Sequence, residues 1–346
     1  MRAPLVRRRT ALLPLVLVAL AAFLAPSASA GPAYGGYLFL YFTGEGTANG
    51  EQVYLAASRG NDPLHWDELN GRRPVLTSSL GDRGVRDPFV IRSPRGDRFY
   101  LLATDLRIYG NGDWDAAQRH GSKYIEVWES TDLVTWSAQR HVRVSPDTAG
   151  NTWAPEAYWD RTINAYVVFW ASKLYAANDP NHTGSTYNRM LYATTTDFRT
   201  FSAARVWVDP GYSVIDSTVL EDGGWYYRFT KDERSAGPGA PCGKFITEQR
   251  STQLRDTTYD LVKDCVGSGA ISQGEGPTAF RSNTENRWYL FIDEFGGRGY
   301  VPFQSTNLAA GQWSPVSGYT LPSSPRHGTV LPVTSAELAR VRAAYS

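Results

Sequence analysis

Five ionisable residues recur along the chain, each at or near the start of a segment typical of a β-strand. Carboxylic acids that lie close together can divide acid–base work, because a protonated one donates a proton while an ionised one accepts one. Ionised carboxylates brought together without partners raise one another's pKa and destabilise a fold, so such a cluster more often serves function than structure. The candidate residues are Asp87, Glu156, Asp216, Glu275 and His327.

Two structural uses of these residues remain open as alternatives to catalysis. Carboxylates at strand ends can bind a cation, or they can form salt bridges that cap the strands. Hydrolysis of a glycosidic bond needs one protonated carboxylic acid for the leaving oxygen and one ionised carboxylate to activate water. An enzyme that inverts the anomeric centre keeps these two groups about 6.5–9.5 Å apart, a separation that strands around one axis can provide.

The strands that must position these residues form an internal repeat. A run of aromatic and aliphatic residues occurs five times, and a second strand, a polar turn and an aromatic residue follow each copy. A third segment, which carries the candidate residues, precedes the aromatic run in four copies. The aromatic runs occupy residues 37–42, 99–103, 166–170, 225–229 and 288–292, and the second strands occupy residues 53–58, 125–130, 190–194, 245–249 and 301–305.

Each unit contains about four strands and repeats every 50 to 70 residues or so, which is typical of a β-propeller blade. The first unit lacks the third segment, and the missing copy appears at residues 327–333. We predict an all-β, five-bladed β-propeller whose C-terminal strand completes the first blade and removes an exposed sheet edge. A β-sandwich is the alternative, but it does not require the missing strand at the far terminus. The propeller is predicted to span residues 31–346 as a single domain, with a helix at 335–344.

The N-terminus has the pattern of a secretory signal peptide. Three arginines at 7–9 precede an apolar run at 11–24, and the small residues Ala28, Ser29 and Ala30 follow it. The apolar run is too short for a membrane span, and no later run approaches the roughly 20 residues that a spanning helix needs. We predict that residues 1–30 are removed and that the protein is secreted, with no membrane association.

Composition limits the partners of the chain. A formal net charge of +1 provides no field to attract nucleic acid. The 11 Trp, 20 Tyr and 14 Phe residues favour strands and can also stack on sugar rings, although core packing is the commoner use. Cys242 and Cys265 are the two cysteines, and an oxidising compartment favours a disulfide between them. We expect a monomer.

At the candidate residues the chain resembles glycoside hydrolase family 43, whose members are five-bladed arabinofuranosidases, xylosidases and arabinanases. Each motif alone is weakly specific, but the ordered set on a five-fold repeat is strongly so. The resemblance covers nearly all of residues 31–346. The motifs are Arg-Asp-Pro-Phe at 86–89, Trp-Ala-Pro-Glu at 153–156, Val-Ile-Asp-Ser at 214–217, Gly-Glu-Gly-Pro at 274–277 and Arg-His-Gly-Thr at 326–329.

The resemblance implies a role for each matching residue. Asp87 resembles the general base, Glu275 the general acid, and Asp216 the carboxylate that orients the acid and tunes its pKa. Inversion without a covalent intermediate is then expected, and the chemistry needs no cofactor. His327 resembles a channel histidine that, in some members, lies beside a structural calcium or sodium ion on the axis, and it is the candidate metal ligand. The half-blade at 37–69 departs from the family pattern, because many members begin close to the base-bearing strand.

Candidate substrate-binding residues come from the same motifs and from one turn. The counterpart of Glu156 in the family is not catalytic, so this residue is expected to support the site. Trp153 is a candidate sugar platform or a core residue. Arg298 lies on a glycine-rich turn and either contacts a sugar hydroxyl or belongs only to the surface. The full set of candidates is Trp153, Glu156, Ser217, Arg298 and His327.

The expected function is a secreted, inverting glycosidase acting on oligo- or polysaccharides that contain arabinose or xylose, with α-L-arabinofuranosidase as the first choice. β-Xylosidase and endo-1,5-arabinanase are alternatives, because they use the same three carboxylates. A propeller lectin that binds glycans without cleaving them is the alternative from another class. It predicts equivalent sites between all blades, whereas the axial residues here differ from blade to blade.

Overall fold

The computed structural model describes residues 33–346, together with Met1 and Pro4. All of the predicted signal peptide other than Met1 and Pro4 lies outside the described residues. Tyr34–Ser346 form one compact unit. Within the described part of the chain, no helix has the length and apolar character needed to cross a membrane.

Twenty strands are arranged in five antiparallel sheets of four strands each, which we call blades I to V in chain order. Blade I contains β1 (Tyr34–Phe42), β2 (Tyr54–Arg59) and β3 (Asp62–Glu68). Blade II contains β4 (Val85–Arg92), β5 (Phe99–Asp105), β6 (Tyr124–Ser130) and β7 (Arg140–Arg143). Blade III contains β8 (Trp153–Asp160), β9 (Ala165–Lys173), β10 (Asn188–Thr195) and β11 (Arg205–Val208).

The remaining strands complete the ring. Blade IV contains β12 (Val214–Asp222), β13 (Trp225–Asp232), β14 (Ile246–Ser251) and β15 (Asp260–Val266). Blade V contains β16 (Glu275–Arg281), β17 (Trp288–Glu294), β18 (Gly299–Ser305) and β19 (Ser314–Pro315). The last strand, β20 (Arg326–Thr334), pairs with β1 and is the fourth strand of blade I.

The predicted five-bladed propeller and its closure are confirmed. The innermost strands β4, β8, β12, β16 and β20 contact one another in sequence around the axis. β20 lies antiparallel to β1 with Leu38 opposite Leu331, so the first blade joins the two ends of the ring. In blades II to V the innermost strand comes first in the sequence. In blade I the innermost strand is β20, which comes from the other end of the propeller.

The core lies between blades, because successive side chains on a strand point to opposite faces. In β1, Leu38 and Leu40 pack in a cluster with Leu101 of blade II. Phe39 and Tyr41 point the other way and share a cluster with Phe291 of blade V. Each blade therefore serves as an apolar layer for both of its neighbours, which holds the innermost strands at fixed positions around the axis.

Two α-helices of the described residues lie outside the sheets. The predicted C-terminal helix is α2 (Ser335–Ala344), which begins with a capping box between Thr334 and Glu337 and buries Leu338. The short helix α1 (Trp114–Arg119) follows β5 and was not predicted, since six residues give too little periodicity to recognise. The predicted Cys242–Cys265 disulfide is present, with its Cα atoms 4.7 Å apart.

A glutamate buried between blades IV and V should make stability depend on pH. Glu248 is fully buried, its Oε2 accepts a hydrogen bond from Trp313 Nε1 at 2.8 Å, and its Oε1 has no partner within the described chain. Burial raises the pKa of Glu248 to about 7. The folded protein therefore retains a proton that the unfolded chain releases near its ordinary pKa of 4.5, so stability falls as pH rises from 4.5 through about 7.

Glu248→Gln should therefore raise the free energy of unfolding at pH 8 by about 3 kcal/mol and leave it nearly unchanged at pH 4.5. Denaturant unfolding at both pH values measures the difference. The matched control is Glu285→Gln, since the Glu285 side chain is 56% exposed. An equal change in stability at the two pH values would show that Glu248 is not protonated in the folded protein.

Candidate active site

Each innermost strand carries a β-bulge near its first residues, seen as a shift in its pairing register. Four of these strands place a residue there in the left-handed region, at φ 51° for Asp87, 50° for Ala154, 54° for Asp216 and 51° for Gly276. A bulge redirects the side chain that it carries, and strained residues of this kind concentrate at functional sites. The bulges thus aim side chains from the start of each strand toward the axis.

The bulges also explain why the candidate residues do not align along the repeat. Asp87 and Asp216 occupy the bulge position, whereas Glu156 follows it by two residues and Glu275 immediately precedes it. Blade V has Gly276 at the bulge, where a Cβ atom would lie 2.7 Å from Cβ of His327. Only glycine fits beside the histidine, so the acid of blade V is displaced by one residue.

His327 lies at the centre of the cluster and is buried. Its Nδ1 is 3.5 Å from Asp87 Oδ1 and 3.8 Å from Asp216 Oδ2, and its Nε2 is 4.0 Å from Glu156 Oε1. Burial alone would lower the pKa of His327, but the three carboxylates outweigh it and raise that pKa well above its usual value. The structure thus brings four of the five candidates together around an imidazolium.

Asp87 is held in its ionised form. Its Oδ2 accepts a hydrogen bond from the Thr104 hydroxyl at 2.7 Å. Burial acts to raise the pKa of Asp87, but His327, Arg86 and Thr104 together hold it below its usual range. Such a carboxylate can accept a proton at neutral pH.

Arg86 links Asp87 to the connection between β1 and β2. Its Nη1 lies 3.0 Å from Glu45 and 2.9 Å from Glu51, and its guanidinium group lies over the rings of Phe42 and Trp114. These contacts fix the residue that precedes Asp87. The half-blade that departs from the family pattern therefore supports the predicted base through Glu45 and Glu51.

Asp216 and Glu156 hold a proton more readily than ordinary carboxyl groups, because the pKa of each is raised. The Gly276 amide donates a hydrogen bond to Asp216 Oδ2 at 3.0 Å. Burial, with the nearby charges of Glu275 and Asp87, raises the pKa of Asp216 to about 6 despite His327 and Lys231. Burial also raises the pKa of Glu156.

Glu275 lies between two cations. Lys231 Nζ donates to its Oε2 at 2.8 Å, and Arg326 Nη2 donates to its Oε1 at 2.6 Å. Burial acts to raise the pKa of Glu275, but these two cations outweigh it and lower that pKa. Arg326 also donates to Asp293 at 2.6 Å, and Lys231 lies 2.7 Å from Glu233.

The free protein therefore shows a charge pattern that differs from the one the resemblance implies. A general acid must hold a proton, yet the pKa of Glu275 is lowered and that of Asp216 is raised. The two carboxyl groups influence each other's ionisation, so they titrate as a pair. At pH values just below 6, the proton of this pair resides on Asp216.

The predicted substrate-binding residues differ in what surrounds them. Trp153 is half-buried at the start of β8, and its ring lies 6.1 Å from that of Trp114 in an edge-on contact. Arg298 Nε donates to Glu294 at 2.5 Å. Substrate contacts by Trp153 and Arg298 stay predictions. Ser217 is 1% exposed and its hydroxyl is 2.7 Å from that of Thr230, so its side chain joins β12 to β13, and its substrate contact also stays a prediction.

Reasoning from the sequence missed the cations of the site, Arg86, Lys231 and Arg326. Arg86 and Arg326 each lie immediately before a candidate residue, and Lys231 lies near the end of the second strand of its blade. A ring of buried carboxylates needs counter-charges. The basic residues at these strand ends could therefore have been predicted from the sequence as partners of the buried carboxylates.

The calcium or sodium ion predicted on the axis stays a prediction. Nδ1 of His327 is buried without a hydrogen-bond partner in the described chain, and Asp87, Glu156 and Asp216 would supply oxygen ligands. Calcium takes oxygen ligands, so the three carboxylates would hold such an ion and the His327 ring would lie beside it.

Comparison with known proteins places this geometry in a family. Residues 32–339 match the family model described as "probable glycosyl hydrolase domain", which is related to glycoside hydrolase family 43. An α-L-arabinofuranosidase of Bifidobacterium longum subsp. longum is 40% identical over 295 residues, which cover 77% of this chain. The chain spans 28% of that relative's length.

Two solved structures have lower similarity. An α-L-arabinanase of Cellvibrio cellulosa in complex with arabinohexaose is 14% identical, with a TM-score of 0.49 over 78% of this chain and 88% of that one. An α-L-arabinofuranosidase of Lactobacillus brevis is 15% identical, with a TM-score of 0.44 over 71% and 74% of the two chains. Because the family model matches nearly the whole propeller, the chain belongs to the glycosyl hydrolase domains related to glycoside hydrolase family 43.

Proposed function

We propose that this chain is an inverting glycosidase that releases α-L-arabinofuranosyl groups from plant oligo- and polysaccharides outside the cell. The 40% identity to an α-L-arabinofuranosidase is the observation that supports this choice of sugar. The axial cluster of Asp87, Asp216 and Glu275 supports hydrolysis, because it combines ionised and protonated carboxyl groups at one site.

Asp87 is the proposed general base. Its lowered pKa keeps it ionised at neutral pH, and the Thr104 hydrogen bond fixes its orientation. In this role it takes a proton from a water molecule as that water attacks the anomeric carbon from the face opposite the leaving group. Nδ1 of His327 lies 3.5 Å from Asp87 Oδ1, and the imidazolium holds the carboxylate in place.

Glu275 is the proposed general acid, with Asp216 as the group that supplies its proton in the free enzyme. A bound sugar would exclude water from Glu275, which raises the pKa of a carboxyl group, and it would compete with Lys231 and Arg326 for its oxygens. The shared proton then moves from Asp216 to Glu275, and Glu275 donates it to the leaving oxygen. The Gly276 amide, adjacent to Glu275, fixes the Asp216 carboxylate beside it.

Secretion is part of the proposal. It rests on the signal-peptide pattern at residues 1–30 and on the Cys242–Cys265 disulfide, which is typical of oxidising compartments.

The assignment is tested by measuring activity on three substrates: an aryl α-L-arabinofuranoside, an aryl β-xyloside and linear arabinan. Proton NMR then identifies the anomer of the sugar that is released first. The expected result is release of arabinose from the arabinofuranoside, with the β-anomer appearing first. Preferential cleavage of the xyloside would instead identify a β-xylosidase, and internal cleavage of arabinan would identify an endo-1,5-arabinanase. The α-anomer as first product would rule out inversion. Binding of glycans without release of sugar would identify a lectin.

A further inference from the structure

A second cluster of ionisable side chains lies in blade II, outside the axial site. Glu126 in β6 pairs directly with His141 in β7, and on the other side with Ala103 of β5. Asp105 follows Ala103 by two residues and so lies on the same face of the sheet. Asp105, Glu126 and His141 thus project from three adjacent strands toward one point.

The donor atoms of this cluster are spaced as metal ligands. One atom from each of Asp105, Glu126 and His141 lies within 4.8 Å of the other two. Ligands at about 2.0–2.2 Å from a common ion lie within about 4.4 Å of one another, so small movements would bring all three into contact with one ion. The His141 ring is stacked on Tyr124 with centroids 4.0 Å apart, which fixes the plane of its nitrogens.

One carboxylate oxygen in the cluster lacks a partner. The Asp105 side chain is 2% exposed, and its Oδ1 accepts a hydrogen bond from the Asp82 amide at 2.7 Å. Its Oδ2 accepts no hydrogen bond in the described part of the chain and lies 3.9 Å from His141 Nδ1, on the side that faces the cluster. This oxygen is therefore available to a cation that enters the cluster.

The charge of the cluster is also unbalanced. Within the described residues, neither Asp105 nor Glu126 pairs with lysine or arginine, and Gln139 and His141 are the side chains bound to Glu126. Two other buried carboxylates of the described chain, Asp160 and Asp293, have an arginine partner, Arg255 and Arg326 respectively. His141 supplies at most one positive charge to this pair.

We propose that Asp105, Glu126 and His141 form a binding site for a divalent transition-metal ion, with Zn²⁺ as the best fit. One imidazole nitrogen with two carboxylates is a donor set for zinc, whereas calcium takes oxygen ligands alone. His141 Nδ1 lies 2.5 Å from Glu126 Oε1, so a proton joins them in the metal-free protein and the ion takes its place. The open ligand position faces the loop that contains Asp82.

The role of this site is structural. The loop before β4 packs on Asp105 so closely that a Cβ atom on Gly81 would lie 2.3 Å from both of its oxygens. The same loop leads into Arg86 and Asp87. An ion at this point joins three strands of blade II and stabilises the approach to the axial site, without contacting a bound sugar.

The test uses the purified protein after EDTA has removed any bound metal. Calorimetry measures zinc binding, and the metal content after gel filtration shows how much zinc is retained. The expected result is one equivalent of zinc, a higher thermal midpoint with zinc, and no such effect of calcium. Glu126→Gln and His141→Asn should each weaken zinc binding at least about tenfold. The matched control, His65→Asn, should bind like the parent, because His65 pairs with Asp62 at 2.7 Å in an exposed position.

Two outcomes would overturn the site. One is the absence of retained zinc and of a thermal shift in the parent protein. The other is zinc binding that Glu126→Gln and His141→Asn leave unchanged, which would locate the ion elsewhere, such as at His327. If these two variants do not fold, Asp105→Asn replaces them, because asparagine can still accept the hydrogen bond from the Asp82 amide. Unchanged zinc binding in that variant, together with normal thermal stability without metal, would also count against the site.

Discussion

Asp87→Asn should lower kcat/KM by about 10³-fold or more on every glycoside, whatever its leaving group. Asparagine has the same shape and can still accept the Thr104 hydrogen bond, but it cannot take a proton from the attacking water. Attack by water is needed for all substrates, so a better leaving group should not restore the rate. Initial rates on aryl arabinofuranosides with a range of leaving groups measure the loss.

Chemical rescue makes this result specific to the base. Azide needs no deprotonation, so adding it to Asp87→Asn should restore turnover and give a glycosyl azide of inverted configuration. The matched control is Asp97→Asn, in the turn at the opposite end of β4, where Asp97 bonds to Ser93. Its activity should equal that of the parent. A loss in Asp87→Asn that shrinks as the leaving group improves would argue that Asp87 donates a proton instead.

Glu275→Gln should show the opposite dependence on the leaving group. We expect a loss of about 10²- to 10⁴-fold on alkyl glycosides and oligosaccharides, whose oxygen leaves only when protonated. Aryl glycosides with strongly acidic phenols leave without protonation and should lose less than about tenfold. Glutamine can still accept a hydrogen bond from Arg326, and Lys231 keeps its contact with Glu233, so the variant is expected to fold.

The same measurement on Asp216→Asn decides which carboxyl group donates. If Glu275 is the acid and Asp216 supplies its proton, Asp216→Asn and Glu275→Gln should both lose more activity on poor leaving groups than on good ones. If Asp216 donates directly, the leaving-group dependence will appear in Asp216→Asn and be absent from Glu275→Gln. In the parent, kcat/KM should fall as pH rises above about 6, because the pair with Asp216 then loses its proton.

The fold could be predicted because its signal lies in local sequence. Alternating aromatic and aliphatic residues mark the strands, and the five-fold repeat together with the strand missing at the N-terminus determines blade number and closure. The helix at Ser335–Ala344 was found for the same reason. Helix α1 was missed because six residues do not establish a period.

The site could be predicted only in part. The repeat placed Asp87, Glu156, Asp216 and His327 on innermost strands, and the structure brings these four together. Their charge states depend on distances between blades, which no local pattern contains. Lys231 and Glu275 are 44 residues apart and belong to different blades, yet their contact lowers the pKa of Glu275. Ser217 follows Asp216 in the motif, but its hydroxyl lies 2.7 Å from that of Thr230 on the neighbouring strand, a contact that no local pattern predicts.

The closure of the ring by β20 has a consequence for the order in which the site is assembled during synthesis. His327 lies on the last strand of the propeller to be synthesised, whereas Asp87, Glu156 and Asp216 are synthesised well before it. Until then the nascent chain has no innermost strand for blade I and no imidazolium between its carboxylates. Blades II to V can form their hairpins as they emerge, but the active arrangement is complete only after translation has passed Thr334.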